Sequence, residues 1–255
     1  MDKQQIVNKI LPEFRSLRFN LQTRIKLDNA LGAYVRRELG WSVSLPEKER
    51  NAIKKQAANM IEHVRRSGGL PDGVDPMIAL TTAAVTEAMK PFKNREETCK
   101  KNMEKLVKQL PVWTGWGAQT KGVGALGIAV VVGIAGNLDD WRSLPGLYKR
   151  LGLAPHEGMA YSTWRMKGGK NGVPKLTAED WKWAGYSPRN RAAIYGYLEG
   201  PICWKGAYAE LYKERRAVED ERTDSKMTAY MRARRYTVKR CVKHMFQAWR
   251  REAAA

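Results

Sequence analysis

Residues 120–136 read TKGVGALGIAVVVGIAG, a Gly122-Val123-Gly124 turn ahead of an unbroken apolar run from Ala125 to Ala135. A Gly-hydrophobic-Gly turn before a helix leaves backbone N–H groups pointing outward at the positive end of the helix dipole, where a phosphate can sit. Lys121 adds a charge beside the turn. This is the logic of a helix-hairpin-helix, which grips a nucleic-acid backbone without reading bases. The stretch is not a GxGxxG following a strand, and no Lys-Ser/Thr pair follows it, so the nucleotide-binding loops are set aside. A buried helix that happens to carry glycines is the competing reading, and the motif alone leaves the two even. The uncharged run from Gly122 to Leu138 has 17 residues with five glycines and Asn137, which falls short of a membrane span.

Outward from that stretch, the composition favours a polyanion as partner. The chain has 255 residues, with 46 Lys+Arg against 26 Asp+Glu, a net charge of +20. A basic balance of this size points to nucleic acid before a membrane or an acidic substrate. A hydrophobic fraction of 43% supplies a core and excludes wholesale disorder. Cys99, Cys203 and Cys241 are odd in number and far apart, which excludes a disulfide scaffold and a CxxC zinc site and fits a reducing cytoplasm. The start, MDKQQIVNK, is not a signal peptide. The expectation is a cytoplasmic, nucleoid-associated protein with no membrane partner, no metal and no cofactor.

Glycine divides the chain into three parts. Residues 1–110 hold five of the 22 glycines, the rest lie between Gly115 and Gly206, and none follows. The parts are a helical arm (1–110), a Gly/Trp-rich helix-hairpin-helix-like domain (111–206) and a basic C-terminal helix packed on it (207–255). The fold class is mainly α.

In the arm, Ile6, Ile10, Phe14, Leu17, Leu21 and Ile25 recur at spacings of three and four, one face of a helix. Pro12 predicts a break near its start. A second helix begins around Pro46 with Ile53, Ala57, Met60, Ile61 and Val64 on its face, and Gly68-Gly69 stops it. A third runs from about Asp75 to Leu110, interrupted at Pro91, with Met103, Leu106, Val107 and Leu110 as its stripe. Ordinary bundle packing is favoured over a coiled-coil hairpin for homo-oligomerisation, because no heptad is sustained.

Past the apolar run, Gly168-Gly169 and Asn171-Gly172 are turn pairs. Ser187-Pro188 forms an N-cap and first-turn pair that starts a helix carrying Arg189 and Arg191. Cations there oppose the helix dipole, so they call for anionic partners: phosphates, or Glu179, Asp180 or Glu199. Everything after Ala207 lacks Gly and Pro and reads as helix. From Ser225 to Arg251 there are nine basic residues and no acid. Met227, Met231, Val238, Val242, Met245 and Trp249 supply an apolar stripe. Arg232, Arg234, Arg235, Lys239, Arg240, Lys243, Arg250 and Arg251 surround it. Solvated faces normally mix signs, so this run favours a phosphate-binding face over a solvated one.

The stretch KGVGALGIAVVVGIAGNLDDWRSLPGLYKRLGLAP resembles the C-terminal transposase domain of the bridge-RNA-guided insertion-sequence recombinases. Trp141, Leu144, Tyr148, Leu151, Gly152, Leu153 and Pro155 fill the block that follows the GVG turn in that family. GYSPRNRAAIYGYL and MRARRYTVKRCVKHMFQAW are similar to its later helices, so the resemblance covers roughly residues 111–251. It implies a stand-alone version of the domain of phage or mobile-element type. The family's acidic resolvase-like domain has no counterpart in this chain. Its catalytic serine sits in a Ser-Gly element just past the Gly-Leu-x-Pro block. Here that region reads HEGMAYSTW, where Ser162 is the nearest serine and no Ser-Gly follows.

Other chemistry is sparse. His63, His156 and His244 are scattered and form no HExxH or metal-spaced cluster. No activating partner for Ser162 can be named. The leading expectation is a non-enzymatic protein that binds duplex or branched DNA through the backbone at Gly122, Val123 and Gly124 with Lys121, through Arg189 and Arg191, and through Arg232, Arg234, Arg235, Lys239, Arg240 and Lys243. RNA is the alternative ligand, since no aromatic stacking motif appears and phosphate contacts serve both. Two further readings stand beside it. One is a recombinase subunit using Ser162 with an acidic domain in trans. The other is a phage or mobile-element factor binding a host protein or guide-RNA complex.

Overall fold

Apolar residues spaced by three and four make the N-terminal arm helical along most of its length. The computed structural model describes residues 2–67, 73–154, 177 and 187–251, without the side chain of Pro188. Helix α1 spans Lys3–Glu38, α2 Glu47–Ser67 and α3 Pro76–Val107. Ile6, Ile10, Phe14 and Leu17 of α1 are buried, as are Ala57, Ile61 and Val64 of α2 and Met103 and Val107 of α3. Ile25 departs from its expected stripe and is 45% exposed. The Gly68-Gly69 stop lies outside the described residues.

Neither proline breaks its helix: Pro12 lies inside α1 and Pro91 inside α3. An interior proline forfeits one hydrogen bond and costs roughly 3 kcal/mol. Buried Ile10, Phe14 and Leu17 flank Pro12, and buried Cys99 and Met103 follow Pro91. Each large apolar side chain taken out of water returns about 1.5–3 kcal/mol, so packing on both sides holds the helix through the proline.

Packing divides the chain differently from composition. One unit comprises Met1–Arg15 and Lys100–Ala255, and the other Ser16–Cys99, so α1 and α3 are each split between them. The second unit has its own core of Leu31, Val35, Ala57, Ile61 and Ile78. There Arg24 Nε donates to Glu96 Oε1 at 2.8 Å, which pairs an acid that is otherwise buried.

The first unit is organised around α4 (Ala125–Ala135). Ile128 to Val132 are fully buried, and a helix apolar all round belongs in the middle of a core. The glycines of this run allow close approach. A Cβ at Gly133 would stand 2.3 Å from Phe14 Cγ, and one at Gly127 would stand 2.9 Å from Leu198 Cδ1. Around α4 lie a π-helical turn (Trp113–Gly117), a 3-10 turn (Leu138–Asp140), α5 (Leu144–Arg150), α6 (Pro188–Ile194), a second π-helical turn (Tyr195–Glu199), α7 (Gly200–Trp204), α8 (Ala207–Arg222) and α9 (Lys226–Arg251). Among the described residues there is no strand. Ser143 caps α5 and Ser187 caps α6, each hydroxyl accepting from the backbone N–H three residues on. Asn137 ties three segments together: it donates to Gln4 Oε1 at 2.8 Å and accepts from Trp249 Nε1 at 3.1 Å and from Asp139 N at 3.1 Å.

The segment after Gly206 is two helices, not one. Thr223 is extended, and the Ser225 hydroxyl accepts from Thr228 N at 3.3 Å, so Thr223-Asp224-Ser225 ends α8 and caps α9. The two helices pack against each other. Val238, Val242, Met245 and Trp249 are buried as the stripe predicts. Met231 is half-buried, and Met227, 67% exposed, is outside the stripe.

Gly122 and Gly206 hold two turns together. Both have positive φ (+95° and +75°), which L side chains avoid. A Cβ at Gly122 would lie 2.5 Å from the Lys205 carbonyl oxygen, and one at Gly206 would lie 2.3 Å from that of Lys121. Gly206→Ala is therefore expected to cost about 1–3 kcal/mol in urea unfolding. Gly196→Ala, where a Cβ meets open space, is the control and is expected to stay within about 0.5 kcal/mol.

Candidate nucleic-acid interface

Spacings of seven, four and seven put Arg232, Lys239, Lys243 and Arg250 along one side of α9. Their surroundings differ. Arg232 Nη1 lies 3.5 Å from Glu219 Oε2. Arg250 Nη2 donates to the Trp141 carbonyl at 2.5 Å, with its guanidinium 4.4 Å from the Phe246 ring centre. Lys239 Nζ stands 4.8 Å from the ring centre of Tyr148, whose hydroxyl donates to the Lys239 carbonyl at 2.6 Å. Arg240 donates to the Tyr236 hydroxyl through Nε and Nη2 at 3.1 and 3.0 Å, which orients it without neutralising it. Among the described residues no carboxylate pairs with Arg235, Lys239, Arg240 or Lys243.

These cations load one another. Burial, and then the neighbouring Arg235, hold the Lys239 ammonium below its usual range. His244 is lowered by burial and then by Lys243 and Arg240. Burial pushes the Tyr148 hydroxyl up to about 12, with Arg240 opposing. An anion against this face would relieve the repulsion among Arg235, Lys239, Arg240 and Lys243.

Other predicted cations are spoken for within the fold. Arg234 forms an ion pair through Nε with Glu199, which is fully buried at the end of the second π-turn, and donates through Nη1 to the Tyr230 hydroxyl. Burial lowers the Arg234 pKa. Glu219, 3% exposed, accepts from Arg215 and lies near Arg222 and Arg232. The acids missing from α9 itself are thus supplied by neighbouring elements. Arg191 Nη1 donates to the Gly152 carbonyl at 3.3 Å and Nη2 to the Tyr195 hydroxyl at 2.8 Å. Of the acids considered for Arg191, Glu199 is taken by Arg234, and Glu179 and Asp180 lie outside the described residues. Arg189 is exposed.

At the glycine turn, Lys121 is exposed and Val123 is 7% exposed. Gly122 packs against the Lys205 carbonyl, so its conformation has a reason within the fold. Gly124 is the N-cap of α4, carries no side-chain cap and borders open space. Structure places this turn beside Trp204-Lys205-Gly206, which sequence reading had not linked to it. Ser162, His156 and the turn pairs at 168–172 lie outside the described residues. No group of three or more His, Cys, Asp or Glu suited to a metal occurs among the described residues. The Cys203 and Cys241 thiols are buried and pushed up to about 11 and 12, which keeps them protonated and unreactive. No helix among the described residues is long and apolar enough to cross a membrane.

Sequence reading missed the aromatic partners of these cations. Tyr148, Tyr195, Tyr230 and Tyr236 come from three elements; Tyr195, Tyr230 and Tyr236 meet Arg191, Arg234 and Arg240 four residues away along the chain, and only folding sets Tyr148 under Lys239 and Tyr236 under Arg215. No family model, no curated protein and no solved structure matches the chain.

Proposed function

We propose that this chain binds nucleic acid, gripping the phosphates of duplex or branched DNA mainly through α9. The observation that carries this is the set Arg235, Lys239, Arg240 and Lys243, four cations on one helix without a carboxylate partner among the described residues. On a chain of net charge +20 such a set favours a polyanion over an ordinary solvated face. Lys121, the backbone at Gly122–Gly124 and Arg189 contribute further contacts at the edge. Arg191, Arg232 and Arg234 serve mainly to brace the helices that present them.

Salt titration tests the reading. If about six phosphates are contacted, log K falls with log salt at a slope near −5. Fluorescence anisotropy on a short labelled duplex at several salt concentrations measures it. A slope near zero, or no binding at low salt, overturns the proposal. Parallel titrations with a branched DNA and with duplex RNA rank the ligands.

A further inference from the structure

His244 is exposed on α9, four residues after Arg240 and next to Lys243. Four residues are about one turn, so the imidazole sits beside Arg240 on the helix surface. Its Nδ1 lies 2.8 Å from the Tyr208 hydroxyl of α8, and the two ring centres are 5.8 Å apart at 35°. Tyr208 is buried, so the ring is pinned from the helix that α9 packs against. Nε2 makes no hydrogen bond among the described residues. The Tyr208 bond suits either charge state, because a phenol hydroxyl both donates and accepts. To a neutral ring it donates at Nδ1, and Nε2 carries the hydrogen. From an imidazolium it accepts, and Nε2–H is still free to donate. Burial raises the pKa of the Tyr208 hydroxyl, which keeps its own proton throughout.

The groups around the ring are cationic or neutral. Burial, then Lys243 and Arg240, hold the imidazole below its usual pKa. The Cys241 thiol beside the Tyr208 hydroxyl is pushed up to about 12, chiefly by burial, and Cys203 of α7 adds to that. The first π-turn, which also packs on α9, carries no titratable group. Acids of other elements around α9 are engaged elsewhere: Glu199 with Arg234, Glu219 with Arg215 and Arg232, and Asp139 with Lys3. A phosphate held by Arg240 and Lys243 would offset their repulsion and favour the imidazolium. We propose that His244 is a further phosphate contact of this interface and gains a proton when nucleic acid binds, so that affinity rises with acidity. The inference rests on the nucleic-acid reading above and adds its regulation by pH. The bound ring titrates above the free one, so affinity climbs as pH falls through the bound value and levels off below the free one.

The test uses the full chain and a short labelled DNA duplex at constant ionic strength. Wild-type affinity is expected to rise about tenfold from about pH 8 to about pH 5.5. The salt slope is expected to steepen by about one over the same range, because one more cation meets a phosphate. Calorimetry at about pH 6.5, in two buffers of different ionisation enthalpy, is expected to show net proton uptake on binding. That measurement needs no substitution. His244→Gln keeps an amide donor but cannot take the proton, and is expected to hold the rise below about twofold and to lose the uptake. His63→Gln, at an exposed position on α2, is expected to keep both. Binding without proton uptake, a rise that survives in His244→Gln, or one that vanishes in His63→Gln overturns the inference alone. Absence of binding at every pH overturns the nucleic-acid reading as well.

Discussion

Replacing Arg235, Lys239, Arg240 and Lys243 together with glutamine is expected to weaken duplex binding on the order of 100-fold near physiological salt. Each cation that meets a phosphate releases a counterion on binding, so the salt slope should flatten by about three to four with the four charges removed. Glutamine has a helix propensity close to that of lysine and arginine, and none of the four has a carboxylate partner among the described residues. The fold should therefore survive. Removing charges that repel one another should leave the unfolding midpoint unchanged or slightly raised, since Lys239 is already depressed by burial and by Arg235. The loss should be uniform across sequences, because phosphate contacts position without specifying. A loss confined to one sequence would mean base readout from the major groove, and an unchanged slope would move the interface elsewhere. Arg234 does not belong in this set, because it is committed to Glu199.

How much of this the sequence revealed depends on the range of the interactions. The apolar stripes at Ile6, Ile10, Phe14 and Leu17, and at Ala57, Ile61 and Val64, are local periodicities, and the structure buries them. The cap at Ser187 is local too, and the one at Ser143, equally local, was not read from the sequence. Pro12 and Pro91 misled because a breaker rule is a local cost, and burial of residues on both sides outweighs it. The break at Thr223-Asp224-Ser225 was legible as a capping signal inside a stretch without Gly or Pro, yet composition alone hid it. The cations of α9 were visible as a run. Which of them face outward was not, because Glu199 and Glu219 reach them from other elements. The contacts of Trp204 with Tyr212 and of Tyr212 with Tyr230 are the extreme case: their rings come from α7, α8 and α9. Gly122 shows the reverse. Its signal was plain, and folding gives it a partner, the Lys205 carbonyl, that the motif does not announce.

Arg234→Met is expected to cost about 3–5 kcal/mol of stability. Glu199 has no exposed surface, and neither of its carboxylate oxygens has a hydrogen-bond partner among the described residues, so the ion pair with Arg234 is its principal compensation. Removing the arginine leaves a carboxylate in a low-dielectric interior with neither water nor counter-charge. The pair also joins two elements: Glu199 closes the second π-turn, and Arg234 comes from α9 and lies between Tyr195 and Tyr230. The methionine would keep most of the apolar contact with those rings, so the measured loss isolates the charge. Replacing both residues, Arg234→Met with Glu199→Gln, removes the unpaired charge and is expected to recover most of the stability, because a buried ion pair costs nearly as much to desolvate as it returns. Urea unfolding of the wild type, the two single variants and the double variant closes the thermodynamic cycle. A single-variant loss below about 1 kcal/mol, or a double variant no better than Arg234→Met, would show that Glu199 is compensated from elsewhere. Binding should separate the two roles of α9 cleanly. The double variant keeps Arg235, Lys239, Arg240 and Lys243, so its duplex affinity should stay near that of wild type, whereas the four-glutamine variant keeps its stability and loses its ligand.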